Sequence, residues 1–148
     1  MAEADAGTFG HPSPHRDRAS IALLMLGLFG GPAAWTGQLL VSYGLTSYAC
    51  FPGPTPRDAL PPGWAWIDPG LTILGALALV VALAATVMSW RIYARTRAEM
   101  QGRTNDLLDI GEGRSRFLAF CGVLTSGAFV TVILFETLSL YLVPPCTR

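Results

Sequence analysis

"LTILGALALVVALAATVMSW", residues 71–90, runs for twenty residues without one charge. A helix rises about 1.5 Å per residue, so this run reaches about 30 Å, the depth of a bilayer's hydrocarbon core. In lipid the backbone must satisfy its own hydrogen bonds, and a helix does so within one segment. Outward from this stretch lie two more apolar runs, from Ile21 to about Tyr48 and from Phe117 to Val143. No run contains a lysine or arginine. Composition agrees: 51% of residues are hydrophobic and 14% charged, where a soluble domain carries about a quarter charged. The expected fold is all-α, an integral membrane protein with three transmembrane helices near 21–48, 71–90 and 117–143. Residues 20–148 form a single three-helix domain in this reading, behind a disordered cytoplasmic tail, residues 1–19. "HRDRASIALLMLGLFGGPAAW" also has the basic flank and apolar core of a signal peptide. The apolar character nevertheless continues past Ala34, which favours a retained span.

The charges set the expected orientation. All ten basic residues are arginine. Arg16 and Arg18 lie in the N-terminal tail, and Arg91, Arg95, Arg97, Arg103, Arg114 and Arg116 lie in the connection 91–116. The connection 49–70 has Arg57 alone, and the C-terminus has Arg148. The positive-inside rule then places the N-terminus and the 91–116 loop in the cytoplasm, with the 49–70 loop and the C-terminus outside. The expected location is a bacterial inner membrane, crossed several times. Net charge is zero, so nothing electrostatic favours a nucleic-acid partner. Cys50 and Cys146 fall on the outer, oxidising side, each at a helix mouth, and a disulfide between them is expected. Cys121 reads as a small buried packing residue.

Polar groups inside the spans carry the remaining information. Helix 1 holds "GGPAAWTGQLLVSYGLTSYAC", residues 30–50. Pro32 has no amide hydrogen and collides with the Leu28 carbonyl, so a kink or break is expected there. Gly27 and Gly31 form a Gly-x-x-x-Gly pair that admits a neighbouring helix closely. Trp35, Gln38, Ser42 and Thr46 share one side of the helix, with Tyr43 and Ser47 on the adjacent strip. Such a stripe faces protein rather than lipid, either helix 3 or a larger partner. In helix 2, Ala78, Ala82 and Thr86 make a small-residue stripe. On helix 3, Gly122, Ser126, Phe129, Ile133 and Glu136 lie near one face. Glu136 sits about 9 Å outward from the helix midpoint at helical rise. Three roles are open to it: a proton relay, an anchor to a neighbouring helix, or a side chain reaching the interface.

Between spans, "FPGPTPRDALPPGWAWIDPG" places six prolines in twenty residues, so an extended loop with turns is expected. Trp64 and Trp66 suit the membrane interface. Helix 2 is expected to continue through "RIYARTRAEM", with Arg95, Glu99 and Arg103 spaced for pairing. "NDLLDIGEG" reads as a short amphipathic turn. Both histidines, His11 and His15, lie in the "HPSPH" segment of the tail. No span can therefore offer imidazole to a haem or copper. There is no Cys-x-x-Cys, phosphate loop or nucleophile elbow. Catalysis by the chain alone, a resident cofactor and a metal site are not expected.

"GPAAWTGQLLVSYGLTSYAC" together with "RSRFLAFCGVLTSGAFVTVILFETLSLYLVPPC" resembles small uncharacterised bacterial three-helix membrane proteins found in gene neighbourhoods of haem–copper cytochrome oxidases. The likeness rests on Gly31, Pro32, Trp35, Gln38, Tyr43 and Cys50, and on Arg116, Phe117, Gly122, Ser126, Pro144, Pro145 and Cys146. It covers helices 1 and 3 and barely touches helix 2. Glu136 departs from the pattern, which has a neutral polar residue there. The resemblance implies a non-catalytic accessory or assembly subunit of a respiratory oxidase, docked on larger membrane subunits. Two other classes remain open. One is a small transporter or channel component with a polar pathway near Gln38 and Glu136; the other is an exported thiol carrier using Cys50 and Cys146.

Overall fold

The structure, a computed structural model, describes residues 21–101, 112–143 and 146, and the side chains of 21–95, 116–143 and 146. The tail with its histidines, the Glu99 and Arg103 side chains, "NDLLDIGEG" up to residue 111, and Pro144 and Pro145 lie outside the described residues. The chain folds into helices α1 (Ile21–Cys50), α2 (Ile67–Gln101) and α3 (Glu112–Leu142), with one 3₁₀ turn at Pro62–Trp64 between the first two. All three are long and apolar enough to cross a membrane.

Pro32 lies inside α1 and does not break it. A proline removes one helical hydrogen bond, and the turn around it stays helical. Its own carbonyl accepts the Thr36 hydroxyl at 2.8 Å. α2 begins at Ile67, four residues before the apolar run, and continues to Gln101. Asp68 in its first turn complements the partial positive charge of a helix N-terminus. Pro69 falls in the same first turn, where its missing amide hydrogen has no helical partner to lose.

The bundle is assembled in levels. α1 and α3 run parallel, and α2 returns antiparallel between their ends. At the first level Gly27 and Gly122 meet Ser89; a Cβ at either glycine would run into the Ser89 hydroxyl. One turn on, Gly30 faces Ala85, and Gly31 lies so close to α3 that a Cβ would stand 2.8 Å from the Ser126 Cα. Next comes an apolar core of Ala78, Ala82 and Ile133, with Ala34, Trp35, Leu79 and Val130 packed around it. Beyond Gln38 and Gly75, a second apolar cluster of Ala49, Ile67 and Leu71 closes the far end, under Leu45, Leu60, Trp64 and Leu140.

Most of the buried positions are small or polar, with Ile67, Leu71 and Ile133 as large exceptions, while many large apolar side chains point out. Phe29, Leu40, Val80, Leu124 and Phe135 are all exposed. A soluble bundle shows the reverse, because the hydrophobic effect drives large apolar groups to the centre. Helices that associate in lipid lack that drive and approach through small residues.

Beyond α1 the chain turns back on the helix end. The Arg57 amide donates to the Cys50 carbonyl at 2.9 Å, and its guanidinium donates to the Ala49 carbonyl at 3.4 Å. Two of the carbonyls that a helix C-terminus leaves without partners are thereby satisfied. Tyr48, Trp64 and Trp66 form a run of rings, with centroids 5.6 and 6.1 Å apart. At the opposite end Trp90, Tyr93 and Phe120 gather, with the Arg116 guanidinium 5.7 Å from the Tyr93 ring centroid.

Candidate functional site

The residues marked out by the sequence fall into three groups in space. Trp35, Gln38, Gly122, Ser126 and Glu136 gather along the seam between α1 and α3, while Pro32, next to Gly31, is half-buried in α1. Cys50 and Cys146 lie at one end of that seam, and Tyr43 lies outside it.

The seam is built from the Gly-x-x-x-Gly pair upward. Gly31 lets the α3 backbone in, and the Ser126 hydroxyl donates to the Gly27 carbonyl at 2.6 Å across the two helices. Ser126 is fully buried, so this bond satisfies a hydroxyl that would otherwise be costly to bury. Further along, the Trp35 ring packs on Phe129 at a centroid distance of 5.3 Å. The Glu136 carboxyl of α3 lies within reach of the Trp35 side chain.

Gln38 is 2% exposed, and neither its amide nitrogen nor its carbonyl oxygen has a hydrogen-bond partner. The Glu136 Oε2 atom is likewise buried and unpartnered. Thr137, the next residue, gives its hydroxyl to the Ile133 carbonyl at 2.8 Å. Its Oγ1 and the Gln38 Nε2 surround the place where a Gly75 Cβ would stand, at 2.5 and 3.4 Å from it. Gln38 of α1 and Thr137 of α3 thus flank Gly75 of α2.

Ser42 is half-buried and its carbonyl accepts the Thr46 hydroxyl at 2.7 Å. That bond stays within α1. Tyr43 is 72% exposed. Cys50 and Cys146 are joined, their Cα atoms 5.2 Å apart, inside the range a disulfide spans. Cys121 is free and half-buried rather than fully buried. Among the described residues no three His, Cys, Asp or Glu side chains converge as a metal site would require.

Sequence reasoning missed Ser89, which is 2% exposed and touches both Gly27 and Gly122. The buried stripe on α2 is Ala78, Ala82, Ala85 and Ser89; Thr86, expected in it, is only half-buried. Steps of four overrun a 3.6-residue turn, and two such steps, from Ala78 to Thr86, are enough to drift off the buried face.

Fold and seam together define a class: an all-α chain of three helices, each able to cross a membrane, fastened at one end by a disulfide. Compared with models of protein families, with curated proteins and with solved structures, the chain matches none.

Proposed function

We propose that the chain is a multi-pass protein of a bacterial inner membrane. It serves there as a non-catalytic accessory or assembly subunit of a respiratory, cytochrome c-type oxidase. Its N-terminus and the 91–116 connection lie in the cytoplasm, and α1 bends at Pro32, where the Leu28 carbonyl loses its helical donor. One observation supports a structural role above others. Several of the positions behind the family likeness lie where α1 and α3 touch: Gly31 against Ser126, Gly122 against Gly27, and Cys50 bonded to Cys146. Tyr43 and Phe117, also among them, face outward. What remains for a larger subunit is the outer apolar surface and exposed rings such as Tyr43 and Tyr48. Purification in a mild detergent tests the reading. Haem–copper oxidase subunits, recognised by mass spectrometry and a haem spectrum, should co-purify with the tagged chain; its recovery as a lone species overturns the proposal.

A second reading is favoured by the unpartnered atoms of Gln38 and Glu136, which suit the lining of a polar pathway in a small transporter or channel component. Solute or proton flux in proteoliposomes that Glu136→Gln abolishes is the result that would select it.

A further inference from the structure

We infer that the cleft between the start of α2 and the end of α3 binds a phospholipid whose headgroup carries a primary ammonium. The inference rests on the chain crossing a bilayer, and on neither its partner nor the way it faces. A cleft of about 540 Å³ opens between the two antiparallel helices, lined by Asp68, Leu71, Thr72, Ile73, Leu140 and Tyr141. Ligand sites commonly measure about 300–1,000 Å³ and set a few polar groups among apolar walls. This cleft has that make-up. Leu71 and Leu140 belong to the apolar cluster that closes this end of the bundle, which fixes the floor. Ile73, 61% exposed, forms an outer wall.

The polar groups stand toward one end. Asp68 is exposed at the rim, and among the described residues no basic side chain lines the cleft. Thr72 gives its hydroxyl proton to the Asp68 carbonyl at 2.9 Å. The Tyr141 hydroxyl reaches Thr72 Oγ1 from the other helix at 3.5 Å, the long limit of a hydrogen bond, so its proton can turn to a ligand. Headgroups add about 5–7 Å to each face of the hydrocarbon core. The helix rises about 7.5 Å from Asp68 to Ile73, so the acid and the apolar wall stand one headgroup layer apart. The stacked Trp64 and Trp66 rings lie just before α2, at the level where indoles settle.

An ammonium head complements this arrangement. Its N–H groups donate to the Asp68 carboxylate in charge-assisted bonds. The adjoining phosphate accepts from Tyr141, and the acyl chains lie along Ile73 and Leu140. An anionic head would bring its charge to a carboxylate with nothing to offset it. A trimethylammonium head keeps the charge but has no N–H to donate.

Native mass spectrometry of the full chain tests the inference. The chain is released from detergent holding equal amounts of phosphatidylethanolamine, phosphatidylglycerol and phosphatidylcholine with the same acyl chains. The phosphatidylethanolamine adduct should exceed each of the others by about threefold, the scale of an exposed ion pair. Asp68→Asn should remove that preference. Asp58→Asn, which changes an acid that does not line the cleft, should leave it intact. Adducts that merely follow the lipid mixture in the unaltered chain would be annular lipid and overturn the proposal, a result that needs no variant to fold. A preference that survives Asp68→Asn, or that Asp58→Asn also removes, overturns it as well. A lipid-free dimer that Asp68→Asn breaks would assign the cleft to a second copy of the chain instead. Release of the chain from vesicles by alkaline carbonate would remove the bilayer reading itself, and the lipid site with it.

Discussion

A methyl group added at Gly31 would meet the α3 backbone itself at 2.8 Å, whereas one added at Gly37 would meet nothing within 4 Å. Both glycines sit in the same helix, so propensity affects them alike, and Ala is favoured over Gly in a helix by about 1 kcal/mol. Gly31→Ala is therefore expected to destabilise the bundle by about 1–3 kcal/mol, the usual cost of overpacking. Gly37→Ala is expected to be neutral or slightly stabilising. Reversible unfolding in mixed micelles, followed by circular dichroism, measures both; equal effects would mean that the α1–α3 contact does not control stability. The Gly27–Gly31 spacing already announced a close approach, and Ser126 was placed on the right face of α3. Hidden from sequence was the state of Gln38. A glutamine in a stripe looks the same whether its amide is paired or orphaned, since pairing depends on a partner's depth to within an ångström. The closeness of Trp35 to Glu136 was hidden for the same reason. The two residues were both marked as polar, yet nothing in their spacing along separate helices states that they touch.

At the level of elements, the three apolar runs coincide with three helices that for the most part extend beyond the runs. Hydropathy drops at Asp68 and Pro69, so a scan starts α2 at Leu71, while the helix begins at Ile67. The residues that look like breakers are those a first turn accommodates. At the other end "RIYARTRAEM" is rich in helix formers, and α2 carries on through it to Gln101 as expected. The 49–70 connection shows the opposite case. Arg57 counts, in the sequence, only as one charge in a topological tally. In the structure it covers the end of α1, donating to the Ala49 and Cys50 carbonyls. Arg57→Ala keeps the amide bond and loses the guanidinium at a helix C-terminus, a loss of about 0.3–1 kcal/mol. Amide hydrogen exchange near Phe51, whose N–H is bonded to the Ser47 carbonyl at 2.9 Å, should then accelerate by up to about fivefold. Unchanged exchange would show that the guanidinium adds nothing to the cap.

For the whole molecule the disulfide joins two questions, how tightly the bundle is closed and which way it faces. Cys50 and Cys146 are separated by 96 positions in sequence. In water, closing a loop of about 100 residues constrains the unfolded chain by about 4.7 kcal/mol. Helices held in a bilayer have already lost most of that freedom, because their unfolded state keeps them inserted. Reduction should therefore lower stability by clearly less than that figure and leave the helices formed. The bond also reports on the compartment, since disulfides persist in the periplasm and not in the cytoplasm. Trapping with an alkylating reagent at the moment of lysis should then label one thiol, Cys121, and a second reagent after reduction should label two more. Reporter fusions give the independent half of the test: a fusion after Arg97 should be active only as a cytoplasmic reporter, and one after Trp64 only as an exported one. Agreement between the two would tie the bonded end to the oxidising side. Three thiols labelled at lysis, with the Trp64 fusion cytoplasmic, would reverse the orientation and leave the pair as thiols that merely stand within bonding reach.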